Sequence, residues 1–210
     1  MCALVKLFLA SSNPGKLREF RALADSVDAM CEADAPDARV EIALLPGFDS
    51  SPSFKEDAPT FAENAVGKAM HYSRIGDGWV FADDSGLVVP ALGGAPGVHS
   101  ARYAGPSATD ADRVAKLLGE LRGKQDLQRV AHFVCAIALA QRGRAIAIVT
   151  ARVDGEILES PRGSDGFGYD PVFYFPALKK TFAELLPEEK NRISHRGKAL
   201  RKMLRSFVTS

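Results

Sequence analysis

The chain opens on an apolar run, Ala3 to Ala10, interrupted only by Lys6 and ending in Ser11-Ser12-Asn13-Pro14-Gly15. A short apolar run bounded by turn residues predicts a buried strand. Asn13 as N-cap and Pro14 at the first helical position, where its missing N–H costs nothing, predict a helix directly after it. Val40 to Leu45 predicts a second strand, and Pro46 to Pro59, rich in Ser, Pro, Asp and Gly, a long loop. Thr60 and Glu63 form a capping-box pair at the head of a helix predicted over Phe61 to Ile75, stopped by Gly76. Trp79 to Ala82 reads as a short strand and Leu87 to Pro90 as a second piece extending or following it, with Asp83-Asp84-Ser85-Gly86 between them.

Farther on, Val114, Leu117, Leu118 and Leu121 recur at helical spacing within Thr109 to Leu121. Val130 to Ala140 and Ala145 to Val153 predict a long hairpin across Gln141-Arg142-Gly143-Arg144, with a further turn at Asp154-Gly155. Pro161 to Pro171 is loop-like. Ser194 heads a last amphipathic helix carrying Leu200, Met203, Leu204 and Phe207. The antiparallel hairpin rules out a purely parallel sheet. The expected class is therefore α/β, a mixed central sheet flanked by helices. With no repeat, linker or low-complexity tract, a single domain over residues 1–210 is the simplest organisation.

Composition changes this picture little. Hydrophobic residues at 46% and charged residues at 25% describe an ordinary globular chain of 210 residues. The 27 Lys and Arg against 26 Asp and Glu leave no global field that would gather nucleic acid or an anionic membrane, so any phosphate chemistry must rest on local charges. Cys2, Cys31 and Cys135 are too few and too irregularly spaced for a disulfide framework or a zinc site. The first apolar stretch is too short for a secretory or membrane-spanning segment. A cytoplasmic protein is the expectation.

Several clusters invite chemistry. Ser11, Ser12, Asn13, Pro14, Gly15 and Lys16 put hydroxyls, an amide, backbone N–H groups and a lysine at a helix start, where the dipole favours an anion. The Walker pattern is absent, since it would need Gly at Ala10 and Ser or Thr at Leu17. Asp83 and Asp84, ahead of Ser85, offer two carboxylates as hard oxygen ligands for magnesium, one of them able to accept a proton from water. Neighbouring carboxylates repel, so a cation would relieve them. Asn64 and Lys68 share one face of the helix that follows Thr60, and Lys68 can reach a phosphate. Glu56 and Asp57 are alternative loop ligands for a metal. Gly166-Phe167-Gly168-Tyr169-Asp170 interleaves aromatics with glycines, as a loop that stacks on a flat base would. Lys190, His195 and Arg196 add cationic and planar donors.

Taken singly, each cluster also fits a capped helix, a tight turn or a solvated surface. Together they resemble the inosine/xanthosine triphosphate pyrophosphatase (Ham1-like) family. The similarity runs through Ser12-Asn13-Pro14-Gly15-Lys16-Leu17-Arg18-Glu19, Thr60-Phe61-Ala62-Glu63-Asn64-Ala65 with Lys68-Ala69, and Ala82-Asp83-Asp84-Ser85-Gly86-Leu87. It continues in Leu92-Gly93-Gly94-Ala95-Pro96-Gly97-Val98 with Ser100-Ala101-Arg102-Tyr103, in Gly166 to Phe173, and in Lys190 with Ile193-Ser194-His195-Arg196-Gly197. The resemblance implies an elongated two-lobed fold with the active cleft between the lobes, a homodimer, and magnesium-dependent hydrolysis of ITP, dITP and XTP to monophosphate and pyrophosphate.

By matched motif, the resemblance implies that Ser11 to Lys16 hold the triphosphate, Lys68 assists them, and Asp84 is the catalytic carboxylate. It implies Glu56 and Asp84 as magnesium ligands with Asp83 as a secondary metal or water contact. Ser85 would touch substrate, and Phe167, Gly168, Tyr169, Asp170, Lys190, His195 and Arg196 would hold the base end. This chain departs from the family's Glu-Thr-Gly-x-Thr-Phe pattern, reading Glu56-Asp57-Ala58-Pro59-Thr60-Phe61, so Glu56 and Asp57 both stay open. Rival readings are a Maf-like pyrophosphatase, disfavoured by the Phe-Gly-Tyr-Asp and Ser-His-Arg blocks, and a non-catalytic nucleotide sensor, disfavoured by retention of Asp83, Asp84 and Lys68. The expected partners are a small nucleotide and a second copy of the chain; nucleic acid and membrane are not expected.

Overall fold

The protein is described by a computed structural model covering residues 3–28, 38–125 and 128–208. The elements are β1 (Ala3–Leu9), α1 (Pro14–Asp28), β2 (Ala38–Leu44), α2 (Phe61–Tyr72), β3 (Trp79–Val88), α3 (Asp110–Glu120), β4 (Val130–Gln141), β5 (Arg144–Ile157), β6 (Phe173–Phe175), β7 (Lys180–Thr181), α4 (Pro187–Ile193) and α5 (His195–Val208). The strands form a mixed sheet in the order β2-β1-β3-β4-β5-β6-β7. β1 runs parallel to β2 and β3, whereas β6 is antiparallel to β5 and β7. The expected mixed sheet flanked by helices is thus observed. No described helix is long and apolar enough to cross a membrane.

The chain divides into two compact units. The first takes residues up to Asp84, Cys135–Ala151 and Arg196 onward; the second takes Ser85–Val134 and Arg152–His195.

In the first unit, strand alternation sorts side chains onto two faces. Leu7, Leu9, Phe81, Cys135, Ile137 and Leu139 pack with Phe20 and Leu23 of α1 and Leu200, Met203 and Leu204 of α5. Val80, Ala82, Ala136, Ala138 and Ala140 face the opposite way, against Ala65, Ala69 and Tyr72 of α2. The alanines on this second face let α2 lie close to the sheet, and the Phe54 ring closes over Gly67, where a Cβ would come within 2.5 Å of it. Cys135 is a buried free thiol, whereas Cys2 and Cys31 lie outside the described residues, as does the side chain of Phe207.

The second unit has its own core of Leu87, Val89, Val114, Leu117, Leu121, Phe133, Val153, Ile157, Tyr169, Val172, Phe173 and Phe182. Arg129 is buried there and donates to the carbonyls of Ile157 at 2.6 Å, Leu121 at 3.1 Å and Leu158 at 2.7 Å, tying the end of α3 to the end of β5.

Three expectations are corrected. The two strand pieces around Asp83 to Gly86 are one continuous strand, β3, so the carboxylates lie within a strand and not in a turn at its end. Asp and Gly disfavour strands by propensity, and tertiary pairing overrides this. β5 passes straight through Asp154-Gly155. Gly155 marks close approach of β6: a Cβ there would meet the Tyr174 carbonyl oxygen at 2.5 Å and the Phe173 ring at 2.6 Å. Helix α2 ends at Tyr72, ahead of Ile75, because the buried Ser73 Oγ donates to the Met70 carbonyl and accepts the Gly143 N–H from the β4–β5 turn. Arg142 and Gly143 in that turn both have positive φ, 49° and 76°, as a two-residue hairpin requires.

Candidate active site

At the start of α1, the Asn13 carboxamide caps the helix: Oδ1 accepts from Gly15 N–H at 2.8 Å and Lys16 N–H at 3.2 Å, and Asn13 N–H donates to Ser11 Oγ at 3.2 Å. Two of the amides expected to greet an anion are therefore already bonded to the cap. An anion here meets the Ser11, Ser12 and Asn13 side chains, the helix dipole and Lys16. Ser11, Ser12, Asn13 and Pro14 also line a small cavity of about 150 Å³ with Leu17, Leu44, Leu45, Phe48 and Asp49.

Alternation along β3 decides the fate of the two aspartates. Asp83 shares the face of Phe81, toward α1 and α5; Asp84 shares the face of Val80 and Ala82, toward α2. Asp83 Oδ2 lies 2.9 Å from Lys16 Nζ and 3.5 Å from Arg196 Nε, and the Asp83 side chain is wholly buried. Arg196 Nη1 also donates to Glu19 Oε2 at 2.9 Å. Burial pushes the Asp83 carboxyl up, but Lys16, Arg196 and Lys68 together outweigh it and hold the group down at about 2.

On the α2 face, Asn64 Nδ2 donates to Asp84 Oδ2 at 3.0 Å. The same carboxamide accepts from Ala58 N–H at 3.0 Å, tying the acidic loop to Asp84. Lys68 Nζ donates to Glu56 Oε1 at 2.5 Å. Burial and the negative charge of Glu56 and Asp83 drive the Asp84 carboxyl up to about 6, against the opposing Asn64 hydrogen bond and Lys16. Burial depresses the Lys68 ammonium, but Glu56, Asp83 and Asp84 overcome it and leave it raised. Asp57 turns outward to Lys55 at 2.7 Å, which leaves Glu56 as the loop acid beside Lys68.

Two carboxylates on one face suit magnesium, which uses one or two protein acids and takes its remaining ligands from water and substrate phosphate. Among the described residues no cluster of three or more His, Cys, Asp or Glu could hold a metal. Glu56 and Asp84 are the two carboxylates that this face offers such an ion. Asp83, grouped with them from the sequence, lies on the other face and is engaged by two cations.

In the second unit, the Phe167 to Asp170 turn is held from several sides. Asp170 Oδ2 accepts from Phe167 N–H at 2.9 Å and Lys190 Nζ at 2.7 Å, Gly168 N–H donates to Asp110 Oδ2 at 2.6 Å, and Tyr169 Oη donates to the Ser100 carbonyl at 2.9 Å. Tyr169 belongs to the core, so Phe167 is the aromatic of this loop that keeps partial exposure, with Lys190 Nζ 4.9 Å from its ring centroid. His195 is buried and stacks on Phe133 at 4.7 Å, nearly parallel. Ser85 is partly exposed on β3. At Gly86 a Cβ would lie 2.3 Å from Ser100 Oγ and 2.6 Å from the Gly97 carbonyl oxygen. The structure thus groups Lys16, Asp83 and Arg196, groups Glu56, Lys68 and Asp84, and groups Phe167, Gly168, Asp170 and Lys190.

Asn64, Glu19, Ser100 and Asp110 take supporting roles that the local sequence does not signal. Their partners are distant in the chain, and no local spacing signals such bonds.

Fold and site define an α/β protein with an anion-receptive helix start and a buried cluster of carboxylates and lysines. The Ham1 family model matches residues 7–206, and the chain belongs to that family. Among its relatives, the dITP/XTP pyrophosphatase of Geobacillus kaustophilus is 54% identical over 198 residues, 94% of this chain and 92% of that protein. The dITP/XTP pyrophosphatase of Desulfotalea psychrophila is 48% identical, over 92% and 81% respectively. Among solved structures, a HAM1 protein from Coxiella burnetii superposes with a TM-score of 0.83 at 41% identity, covering 98% of this chain and 100% of that one.

Proposed function

We propose that this chain hydrolyses non-standard purine nucleoside triphosphates, ITP, dITP and XTP, to the monophosphate and pyrophosphate, and so removes them from the nucleotide pool. The observation that carries the reading is the placement of the buried Asp84 carboxylate, bonded to Asn64 Nδ2 at 3.0 Å and facing the Glu56–Lys68 pair. A carboxylate fixed by a hydrogen bond at this point can accept the proton of a water. The 54% identity to a dITP/XTP pyrophosphatase supports the same reaction.

In the proposed reaction, the Ser11, Ser12 and Asn13 side chains with Lys16 bind the triphosphate, and Lys68 adds a second ammonium. Glu56 and Asp84 would hold magnesium, which when bound supplies charge neutralisation and polarisation at phosphate oxygens. Asp84 takes the proton of a water whose oxygen attacks the α-phosphorus; the bond from that phosphorus to the α–β bridging oxygen breaks, and pyrophosphate departs with its electron pair. Positioning and charge stabilisation suffice, and no covalent enzyme intermediate is needed. Phe167, with its partly exposed ring, takes the base, and Lys190, His195 and Arg196 supply donors suited to a 6-oxo group. Adenine's 6-amino group would instead set donor against donor. A cytoplasmic homodimer acting as a single-domain enzyme is part of the same proposal.

Hydrolysis of ITP in water enriched in ¹⁸O tests the bond assignment. Label found in the monophosphate supports attack at the α-phosphorus, and label found in pyrophosphate would exclude it.

A further inference from the structure

The reading above leaves Asp83 without a role once Asp84 and Glu56 are the metal carboxylates. We propose that Asp83 is a positioning residue and not a metal ligand: from the face of the sheet opposite Asp84, it fixes the Lys16 ammonium at the start of α1. This rests on the reading of Lys16 as a triphosphate-binding group.

Both cations beside Asp83 sit at helix starts. Lys16 is the third residue of α1 and Arg196 the second of α5. A cation in the first turn of a helix opposes the positive end of the dipole, so both positions are unfavourable without a counter-charge. Asp83 lies within reach of both, 2.9 Å from Lys16 Nζ and 3.5 Å from Arg196 Nε, while Arg196 has a second acid in Glu19 at 2.9 Å. Lys16 therefore depends on Asp83 more than Arg196 does. The four side chains are 14%, 0%, 7% and 8% exposed for Lys16, Asp83, Arg196 and Glu19, so water screens these charges poorly. A long, flexible lysine is thereby held in one place, ready for an anion. A divalent cation brought to Asp83 would sit beside two fixed positive groups, whereas on the Asp84 face it would meet Glu56.

The test is a double-mutant cycle of Asp83→Asn and Lys16→Ala, read as kcat/KM for ITP across a magnesium titration. Asp83→Asn is expected to lower kcat/KM by about tenfold to a hundredfold, the worth of one charge-assisted contact. Its half-saturating magnesium concentration should stay within about twofold of the parent, and Asp83→Asn should add less than about threefold in the Lys16→Ala background. A half-saturating concentration raised tenfold or more, with the rate restored by excess magnesium, overturns the proposal, as do losses that multiply in the double variant. If Asp83→Asn does not fold, Asp83→Glu, which keeps the negative charge, goes through the same titration: lowered kcat/KM with unchanged magnesium dependence supports positioning, and altered magnesium dependence overturns it. A parent enzyme that releases no pyrophosphate from ITP, XTP or dITP would instead sink the functional reading itself.

Discussion

Asp83 and Asp84 are neighbours in the chain with opposite electrostatics, and their protonation makes opposite demands on stability. Asp84, raised to about 6, binds its proton more tightly when folded than when unfolded. In metal-free buffer it therefore costs stability increasingly as pH rises from about 4 to about 6, and the full cost persists above that. Asp84→Asn is expected to raise stability at pH 7 by about 1 to 3 kcal/mol and to leave it unchanged near pH 4, measured by urea unfolding without metal. The same substitution should lower turnover about a hundredfold to ten-thousandfold, the usual reach of a general base, and a variant with full turnover would contradict the role. Asp83, held at about 2, contributes stability above the ordinary carboxylate range and loses it as pH falls toward 2. Asp83→Asn should cost about 2 to 3 kcal/mol at pH 7, because it strips the counter-charge from the partly buried Lys16. Residue types and motif order exposed both aspartates as important. They did not separate the roles, since that depends on which face of β3 each occupies and what waits there.

At the scale of elements, the helix starts were legible because capping is local: Asn13 before Pro14 and Thr60 before Phe61 each receive the N–H groups that a cap at those positions predicts. The long hairpin was legible for the same reason, its turn being carried by Arg142-Gly143. The continuous β3 was not, because Asp83-Asp84-Ser85-Gly86 has the composition of a turn and its strand geometry is imposed by distant partners. Gly86 is part of that imposition. Gly86→Ala would drive a methyl against the Gly97 carbonyl oxygen, which is backbone and cannot step aside, and Ser100 Oγ, which bonds Leu87 N–H. The expected cost is about 1 to 3 kcal/mol, seen as a lowered thermal midpoint, and an unchanged midpoint would show that the strand tolerates relaxation there. The short strands β6 and β7 and helix α4 carried no pattern long enough to read.

For the molecule as a whole, near-neutral composition leaves the electrostatics to local charge pairs: Lys16, Lys68 and Arg196 in the first unit, and Lys190 in the second, are each matched to a buried or half-buried acid. On the proposed function, a triphosphate reaching Lys16 and Lys68 would exchange one set of counter-charges for another, and an accompanying magnesium ion would offset its charge. The central claim is therefore tested most directly by following pyrophosphate and orthophosphate release from ITP, XTP, dITP, GTP and ATP at one enzyme concentration, with and without magnesium. The account predicts magnesium-dependent release of pyrophosphate from ITP, dITP and XTP well above that from ATP. Equal turnover of ATP and ITP, or orthophosphate as the first product, would contradict it.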